Sequence, residues 1–167
     1  MYPHLKYYLA VSFPLKLRIY LTNHSLKKIK LERSTRDQVE CIFYPESSPT
    51  DAKAHELIEK TLLWMQLYFS RKDPGFTPPL EPFATEFSRS VLSKLSETSF
   101  GSVLTYKELG TLIDKPGAAR AVGTALHKNP YALIIPCHRV VSKKDIGGFA
   151  YPIEIKKLLL AFEKGSI

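Results

Sequence analysis

The chain has 167 residues, and its 24 Lys and Arg against 16 Asp and Glu give a net charge of +8 at neutral pH, which favours polyanions as partners. With 44% hydrophobic and 11% aromatic residues it can bury a core, so the composition excludes an intrinsically disordered polymer. No apolar run approaches the roughly 18 residues of a membrane span, no signal peptide is recognisable, and two cysteines cannot form a disulfide framework, so we expect a cytoplasmic protein with no membrane partner.

The first half of the chain opens with short runs rich in Val, Ile, Tyr and Phe, residues that are enriched in β-strands. Turn-forming residues separate these runs, and the short connections favour an antiparallel meander. The predicted strands cover residues 7–13, 16–22, 26–31 and 39–44.

A long helix is predicted to follow, with Thr50 or Asp51 as its N-cap and its end near Ser70. Its apolar residues recur at three- and four-residue steps, as in a helix that buries one face. We interpret this stripe as core packing rather than as a ligand site. It consists of Leu57, Ile58, Leu62, Met65 and Phe69, extended by Trp64 and Tyr68.

A proline-rich segment, residues 71–82, separates the two halves, because its four prolines exclude both a regular helix and a central strand. We therefore predict two domains, residues 1–79 and residues 80–167. The second is mostly helical. Its predicted helices cover residues 83–95, 105–113 and 118–128.

The last two of these helices are short, and a tight turn at residues 114–117 joins them, which indicates either a helix-turn-helix motif or an ordinary helical hairpin. The first begins with a capping-box pattern, Thr105 followed by Glu108. The second carries small residues that permit close approach to another surface. Residues 115–144 contain six Lys or Arg and no acidic residue, so this window either follows a phosphate backbone or forms a solvated basic face.

The most informative segment is Pro-Cys-His-Arg-Val at residues 136–140, after an apolar run at 133–135 that is predicted to be a strand. A thiol reacts as the thiolate, and a neighbouring imidazole and positive charge lower its pKa. In a regular strand Cys137 and His138 would face opposite sides, so proton transfer between them requires a turned backbone or a bridging water. The alternative is a buried, inert cysteine, the role that we assign to Cys41.

This motif resembles the active-site motif of the O6-alkylguanine-DNA alkyltransferases, also called methylated-DNA–protein-cysteine S-methyltransferases. Further blocks follow the order typical of that family, so the resemblance covers about residues 80–164. They are Phe100-Gly101, Thr105-Tyr106, Ala118 to Gly123, Asn129-Pro130, Lys156, Leu158, Leu159 and Glu163. The resemblance implies an α+β fold, with a small antiparallel-sheet, RNase H-like N-terminal domain and a helical, winged helix-turn-helix-like C-terminal domain.

The resemblance also implies a DNA repair reaction in which the alkyl group of O6-alkylguanine passes irreversibly to Cys137, once per molecule. O4-alkylthymine is a second candidate substrate. In the family pattern His138 is the base that acts on the thiol through water, Glu163 orients its imidazole, and Tyr106 donates a proton to the leaving guanine. Some members of the family carry zinc-binding cysteines near the amino terminus, but this sequence lacks them, so we predict no metal and no cofactor.

The implied partner is double-stranded DNA, bound by a monomer through the minor groove while the damaged nucleotide is rotated out of the stack. The protein would then be associated with the nucleoid, and Arg120 would fill the space that the nucleotide leaves. The other implied DNA contacts are Thr105, Tyr106, Ala119, Ala121, Gly123 and Lys128. The implied guanine pocket consists of Asn129, Val140, Gly147, Gly148, Phe149 and Ala150.

One segment departs from the family pattern: Ala150-Tyr151-Pro152 stands where members usually carry small residues, so Tyr151 would add bulk at the pocket mouth. Three other classes of protein remain open. A lesion-binding protein without transfer chemistry would lack the cysteine, a helix-turn-helix regulator would leave the Cys-His pair unexplained, and a cysteine hydrolase would be labelled by a peptide or ester analogue without DNA.

Overall fold

The computed structural model describes residues 4–48 and 51–167 of the chain. They fall into two compact units, one that ends at Glu81 and one that runs from Pro82 to Ile167. The division lies within the proline-rich segment. Among the helices of the described ranges, none combines the length and the apolar character needed to cross a bilayer.

The first unit contains a mixed four-stranded sheet in the order β1-β4-β2-β3. Strands β1 and β4 are antiparallel, as are β2 and β3, but β2 and β4 are parallel. The strands are β1 (Leu5–Leu9), β2 (Leu15–Leu21), β3 (Leu26–Arg33) and β4 (Val39–Pro45).

The expected antiparallel meander is therefore wrong, although all four strands exist. Strand β4 is buried at six of its seven positions, whereas β2 alternates between buried and half-buried positions. A strand that is buried on both faces is favoured at an inner position of a sheet. Strand β4 accordingly lies between β1 and β2, which are neighbours in sequence but do not pair.

Helix α1 (Ala52–Phe69) covers one face of this sheet, and Asp51 caps it by accepting hydrogen bonds from the backbone N–H groups of Lys53 and Ala54. The alternative cap, Thr50, lies outside the described residues. The predicted apolar stripe is buried except at Leu62, which is half-buried. The core is therefore built from this stripe and the inward residues of the strands.

The second unit is mostly helical, as expected. Its α2 begins at Glu86 rather than at Phe83, because the Thr85 hydroxyl accepts the Ser88 N–H and caps the helix there. The predicted capping box at Thr105 is confirmed. The elements are α2 (Glu86–Ser96), β5 (Leu104–Thr105), α3 (Tyr106–Leu112), α4 (Ala119–His127), a 3₁₀ turn (Cys137–Arg139), β6 (Val140–Val141) and α5 (Ile153–Lys164).

The strand expected at residues 133–135 is wrong, because this apolar run belongs to a buried turn. The turn is closed by a hydrogen bond from the Ile135 N–H to the Tyr131 carbonyl, 2.8 Å long, and Leu133 adopts a left-handed conformation with φ 75°. The Asn129 amide donates to the Ile135 carbonyl at 2.8 Å and accepts the Tyr131 N–H at 3.0 Å. One polar side chain thus satisfies backbone groups that would otherwise be buried without partners.

Candidate active site

The segment after this buried turn is not extended. Residues Cys137–Arg139 form a single 3₁₀ turn, and β6 follows it directly. Of the two alternatives that the sequence left open for proton transfer between Cys137 and His138, a turned backbone or a bridging water, the turned backbone is present. Strand β6 pairs in parallel with β5, which ends at Thr105, the cap of α3, so this short pairing brings the start of α3 close to the cysteine segment.

Cys137 lines an open cavity of about 470 Å³. Eight of the residues that line it were predicted as site residues: Tyr106, Ala119, Gly123, Cys137, Gly147, Gly148, Phe149 and Ala150. Three further lining residues were not predicted: Leu126, His127 and Ser142. Two predicted pocket residues, Asn129 and Val140, are buried and do not line the cavity, so they support its wall from behind.

Tyr106 and the loop at residues 147–150 form one side of the cavity. The Tyr106 hydroxyl donates to the Gly148 carbonyl at 3.3 Å. Gly147 has φ +71°, and a Cβ atom there would lie 2.9 Å from both the Tyr106 hydroxyl and the Ser142 nitrogen. Any side chain at this position would therefore collide with Tyr106 as well as strain the backbone.

His138, Arg139 and Glu163 form a buried polar network beside the thiol. The Nε2 atom of His138 lies 2.8 Å from Oε1 of Glu163. Arg139 donates to both carboxylate oxygens, from Nε at 2.8 Å and from Nη2 at 2.9 Å, and the Gly101 N–H donates to Oε2 at 2.9 Å. Because Arg139 also donates to the Thr98 carbonyl at 2.6 Å, the carboxylate is fixed from three parts of the unit.

These contacts set the charges of the network. Burial raises the pKa of Glu163, but the hydrogen bonds from His138 and Arg139 outweigh it and hold this pKa well below its usual range. The pKa of His138 is lowered, because the effect of burial outweighs the opposing contact with Glu163. The imidazole is therefore neutral at pH 7, and within the described chain its Nδ1 atom has no hydrogen-bond partner.

The Cys137 thiol is subject to opposing effects. Its pKa is raised, because burial outweighs the Asn129 amide, the positive charge of Lys156 and the backbone N–H groups of its own turn, which lower it. Because a thiol is a nucleophile only as the thiolate, these three sources of stabilisation favour reactivity. Burial also raises the pKa of Tyr106, so its hydroxyl stays protonated.

Lys156 is a residue of the site to which the sequence analysis assigned no role. It is fully buried, and its ammonium donates to the Val140 carbonyl at 2.6 Å and to the Gly148 carbonyl at 2.9 Å. Burial lowers its pKa to about 8. A signal for it existed in the sequence, since Lys156 lies seven residues before Glu163 and hence on the same face of α5.

Tyr151, in the segment that departs from the family pattern, lies near the thiol. Burial raises its pKa to about 12, and the Cys137 charge adds to that effect. Its ring packs edge-to-face on Phe149 at a centroid distance of 5.4 Å. It is not among the residues that line the cavity, so it supports the 147–150 loop instead of narrowing the opening.

The predicted DNA contacts fall into two groups. Tyr106, Ala119 and Gly123 line the cavity, whereas Arg120, Ala121 and Lys128 are exposed. The remaining contact, Thr105, is occupied by the capping box of α3. Within the described ranges, no three His, Cys, Asp or Glu side chains form a group that could hold a metal ion.

Such a site defines a protein with a candidate cysteine nucleophile in an open cavity, next to a pair of short helices. Residues 86–165 match the family model of the "6-O-methylguanine DNA methyltransferase, DNA binding domain". A probable methylated-DNA–protein-cysteine methyltransferase of Acanthamoeba polyphaga mimivirus is 35% identical over 151 residues, which cover 90% of this chain and 97% of that protein.

Two further proteins are similar. A methylated-DNA–protein-cysteine methyltransferase of Methanosarcina barkeri is 43% identical over 104 residues, which cover 62% of this chain and 66% of that protein. The crystal structure of Mycobacterium tuberculosis OGT in complex with DNA has the same fold, with a TM-score of 0.67 at 24% identity over 90% of this chain and 93% of that one.

The chain belongs to the methylated-DNA–protein-cysteine methyltransferase family. The class predicted from the sequence, a DNA repair methyltransferase, is thereby confirmed, as is its mixed α+β architecture.

Proposed function

We propose that this protein transfers the alkyl group of O6-alkylguanine in double-stranded DNA to Cys137, once per molecule, with O4-alkylthymine as a second substrate. The observation that carries the proposal is the position of the thiol, which lines a 470 Å³ cavity beside the buried His138–Glu163 pair. A cysteine hydrolase would use the same pair, but the family match over residues 86–165 supports a DNA substrate.

His138 acts as the base. Glu163 Oε1 accepts a hydrogen bond from the Nε2–H group at 2.8 Å, which fixes the tautomer and leaves Nδ1 as a proton acceptor. This nitrogen takes the thiol proton through a water molecule, and the anionic Glu163 stabilises the imidazolium that forms. Asn129 and Lys156 stabilise the thiolate directly.

In the transfer step the thiolate attacks the alkyl carbon bonded to O6. The new S–C bond forms as the O6–C bond breaks, and the guanine leaves with the electron pair of that bond. Tyr106 donates a proton to the departing base, a role that its protonated hydroxyl at the cavity supports. Because the thioether is stable, the protein reacts only once.

On the DNA side, α3 and α4 act as the helix-turn-helix of a winged C-terminal domain, and α4 enters the minor groove. Its small residues Ala119 and Gly123 face the cavity, which supports a route for the rotated base from groove to thiol. The exposed Arg120 fills the gap in the stack, with Thr105, Ala121 and Lys128 near the backbone.

The same proposal treats residues 1–79 as an RNase H-like domain and residues 80–167 as the DNA-binding and transfer domain. The mixed sheet with one long helix supports the former. The protein acts as a monomer in the cytoplasm, associated with the nucleoid when it is bound to DNA.

The test is incubation with a duplex that contains one O6-methylguanine, followed by intact mass and peptide mapping. We expect a gain of one methyl group on Cys137 that stops at one lesion per molecule. Tight binding to the lesion without a mass gain would identify a damage-recognition protein instead. Labelling of Cys137 by an ester analogue without DNA would indicate a hydrolase.

Base rotation has its own test, Arg120→Ala with Arg89→Ala as a control, because both arginines are exposed on helices of the second unit. Unstacking a base costs a few kcal/mol, so Arg120→Ala slows transfer from duplex by about tenfold or more. It leaves transfer from the free base unchanged. Equal slowing on both substrates would contradict the assigned role.

A further inference from the structure

The face of the first sheet opposite its apolar core carries a row of stacked rings. Tyr20 of β2 and Tyr44 of β4 stack at a centroid distance of 4.9 Å and an interplanar angle of 15°. His4 stacks on Tyr44 at 5.7 Å, and the ammonium of Lys30 on β3 lies 5.7 Å from the centre of the Tyr20 ring. Because the strand order is β1-β4-β2-β3, this row crosses most of the sheet.

A groove of about 270 Å³ lies along this row. Tyr20, Tyr44, Lys28 and Lys30 line it, and both lysines are exposed. A third lysine of the groove pairs with Glu46 at 2.6 Å, but throughout the described residues no carboxylate lies within ion-pair distance of Lys28 or Lys30. The groove therefore combines aromatic rings with uncompensated positive charge.

The sheet register concentrates this charge. Arg18 on β2 lies directly opposite Lys30 on β3, a like-charged cross-strand pair that disfavours the sheet. Glu32 partly offsets the repulsion, since it accepts from Arg18 at 2.6 Å, and Arg18 also donates to the Tyr44 hydroxyl at 2.6 Å. An anion bound at Lys30 would relieve the remaining repulsion.

The aromatic rings of the groove distinguish among anionic partners, because they favour a partner that can stack on them. A peptide of Asp and Glu offers charge but no ring to stack, and a duplex keeps the faces of its bases inside the helix. A single strand offers both phosphates and unstacked bases, and proteins bind it with basic grooves that carry aromatic rings. The strand order places Tyr20 between Tyr44 and Lys30, whose ammonium lies 5.7 Å from the Tyr20 ring centre. Because the lysine side chain is flexible, a base can take its place on the ring while the ammonium turns to a phosphate.

We propose that this groove is a second nucleic-acid site, which binds a single strand of DNA or RNA with one base on Tyr20 and adjacent phosphates on Lys28 and Lys30. This function does not depend on Cys137 or on alkyl transfer. A groove variant that no longer binds a single strand should therefore still transfer a methyl group from a short duplex at an unchanged rate.

The first test compares Lys28→Glu/Lys30→Glu with Lys53→Glu/Lys72→Glu, in which the same charge change is placed on exposed residues away from the groove. Binding of the full-length protein to fluorescent oligo-dT and oligo-U is measured by anisotropy at several salt concentrations. The groove variant should weaken binding by about tenfold more than the control and lower the slope of log K against log salt by roughly 1.4, since each phosphate contributes about 0.7. Equal losses in the two variants would overturn the proposal.

The second test places a reporter in the groove. Tyr20→Trp should keep the affinity for the oligonucleotide, and its new fluorescence should be quenched on binding because a base stacks on the indole. Tyr20→Ala should weaken binding by about fivefold or more. An unquenched Trp, or displacement of the strand by polyglutamate as effectively as by unlabelled oligonucleotide, would overturn the proposal. Oligo-dT and oligo-U together show whether the strand is DNA, RNA or either.

Discussion

The two cysteines occupy regions of similar burial but opposite chemistry. Cys41, in β4 of the first unit, is 0% exposed, and burial alone raises its pKa to about 12. Cys137, in the second unit, is 5% exposed, and burial raises its pKa too, but Asn129, Lys156 and backbone N–H groups oppose the increase. Burial without polar partners thus favours an inert thiol, whereas at Cys137 polar groups offset part of the burial effect, as expected of a candidate nucleophile.

The backbone explains why the two surroundings differ. The N–H groups of an inner strand are used by its neighbours, and β4 pairs on both sides. In the 3₁₀ turn the Cys137 N–H donates to the Ile135 carbonyl at 2.8 Å, and the backbone N–H groups of Cys137 and His138 both lower the pKa of the thiol. No such contribution from the backbone opposes burial at Cys41.

The most direct way to break this comparison is to exchange sulfur for oxygen at both positions. Cys137→Ser should abolish methyl transfer, measured by intact mass, and keep DNA affinity within about twofold, because a hydroxyl is not ionised at neutral pH. Cys41→Ser is the matched control and should still accept one methyl group per molecule. Residual transfer in Cys137→Ser would place the acceptor elsewhere.

The next largest effect is expected when the polar network beside Cys137 is disrupted. Glu163→Gln leaves Arg139 buried without its charge partner, so the free energy of unfolding in urea should fall by about 3–5 kcal/mol. Because the folded-state pKa of Glu163 is depressed, its contribution is present above its unfolded-state pKa and is lost as the pH falls below that value.

The variant should accordingly lose less stability than the wild type between about pH 5 and pH 3. Glu154→Gln, at an exposed position on the same helix, is the control and should behave as the wild type does. Parallel acid profiles for wild type and Glu163→Gln would contradict the assigned contribution of the carboxylate.

Lys156→Met tests how much the positive charge of this lysine contributes to the difference between the two cysteines. Loss of the positive charge near Cys137 should slow transfer at pH 7 on the order of tenfold. The neighbouring exposed Lys157→Met is the control and should not change the rate.

The stability of the same variant has a distinct pH profile. The pKa of Lys156 is about 8 in the folded protein against an ordinary 10.5, so in this range the unfolded chain binds more protons. Wild-type stability should therefore rise with pH across this window relative to that of Lys156→Met. An unchanged difference between pH 7.5 and pH 10 would show that the ammonium is not destabilised by burial.

The smallest effect is expected for Cys41→Ala. Removing one sulfur atom from the core should cost about 1 kcal/mol of unfolding free energy and leave the rate of methyl transfer unchanged. A loss of transfer without a loss of stability would mean that the two regions communicate.

The parts of the molecule that follow local rules were predictable from the sequence. Apolar spacing gave α1, and the Thr105 pattern gave the capping box of α3. The strand order was not, because pairing of β4 between β1 and β2 depends on contacts distant in sequence. The buried turn was read as a strand because apolar composition does not reveal the left-handed Leu133.

The chemistry of the site was predictable to a similar extent. The motif identified Cys137 as the candidate nucleophile, and the family resemblance gave His138 and Glu163 their roles. The structure adds that Arg139 shares the Glu163 carboxylate and that Lys156 bonds two carbonyls of the site. Such contacts join separate segments, so single motifs do not reveal them.

Asn129 is followed by Pro130, and this has a consequence for the ageing of the protein. Asparagine normally deamidates when the next backbone nitrogen attacks the side-chain amide, but proline has no N–H for this reaction. Deamidation would replace the amide donor beside Cys137 with a carboxylate, and the hydrogen bond from Asn129 to the Ile135 carbonyl would be lost. The Asn-Pro dipeptide therefore protects the amide that holds this turn from deamidation as the protein ages.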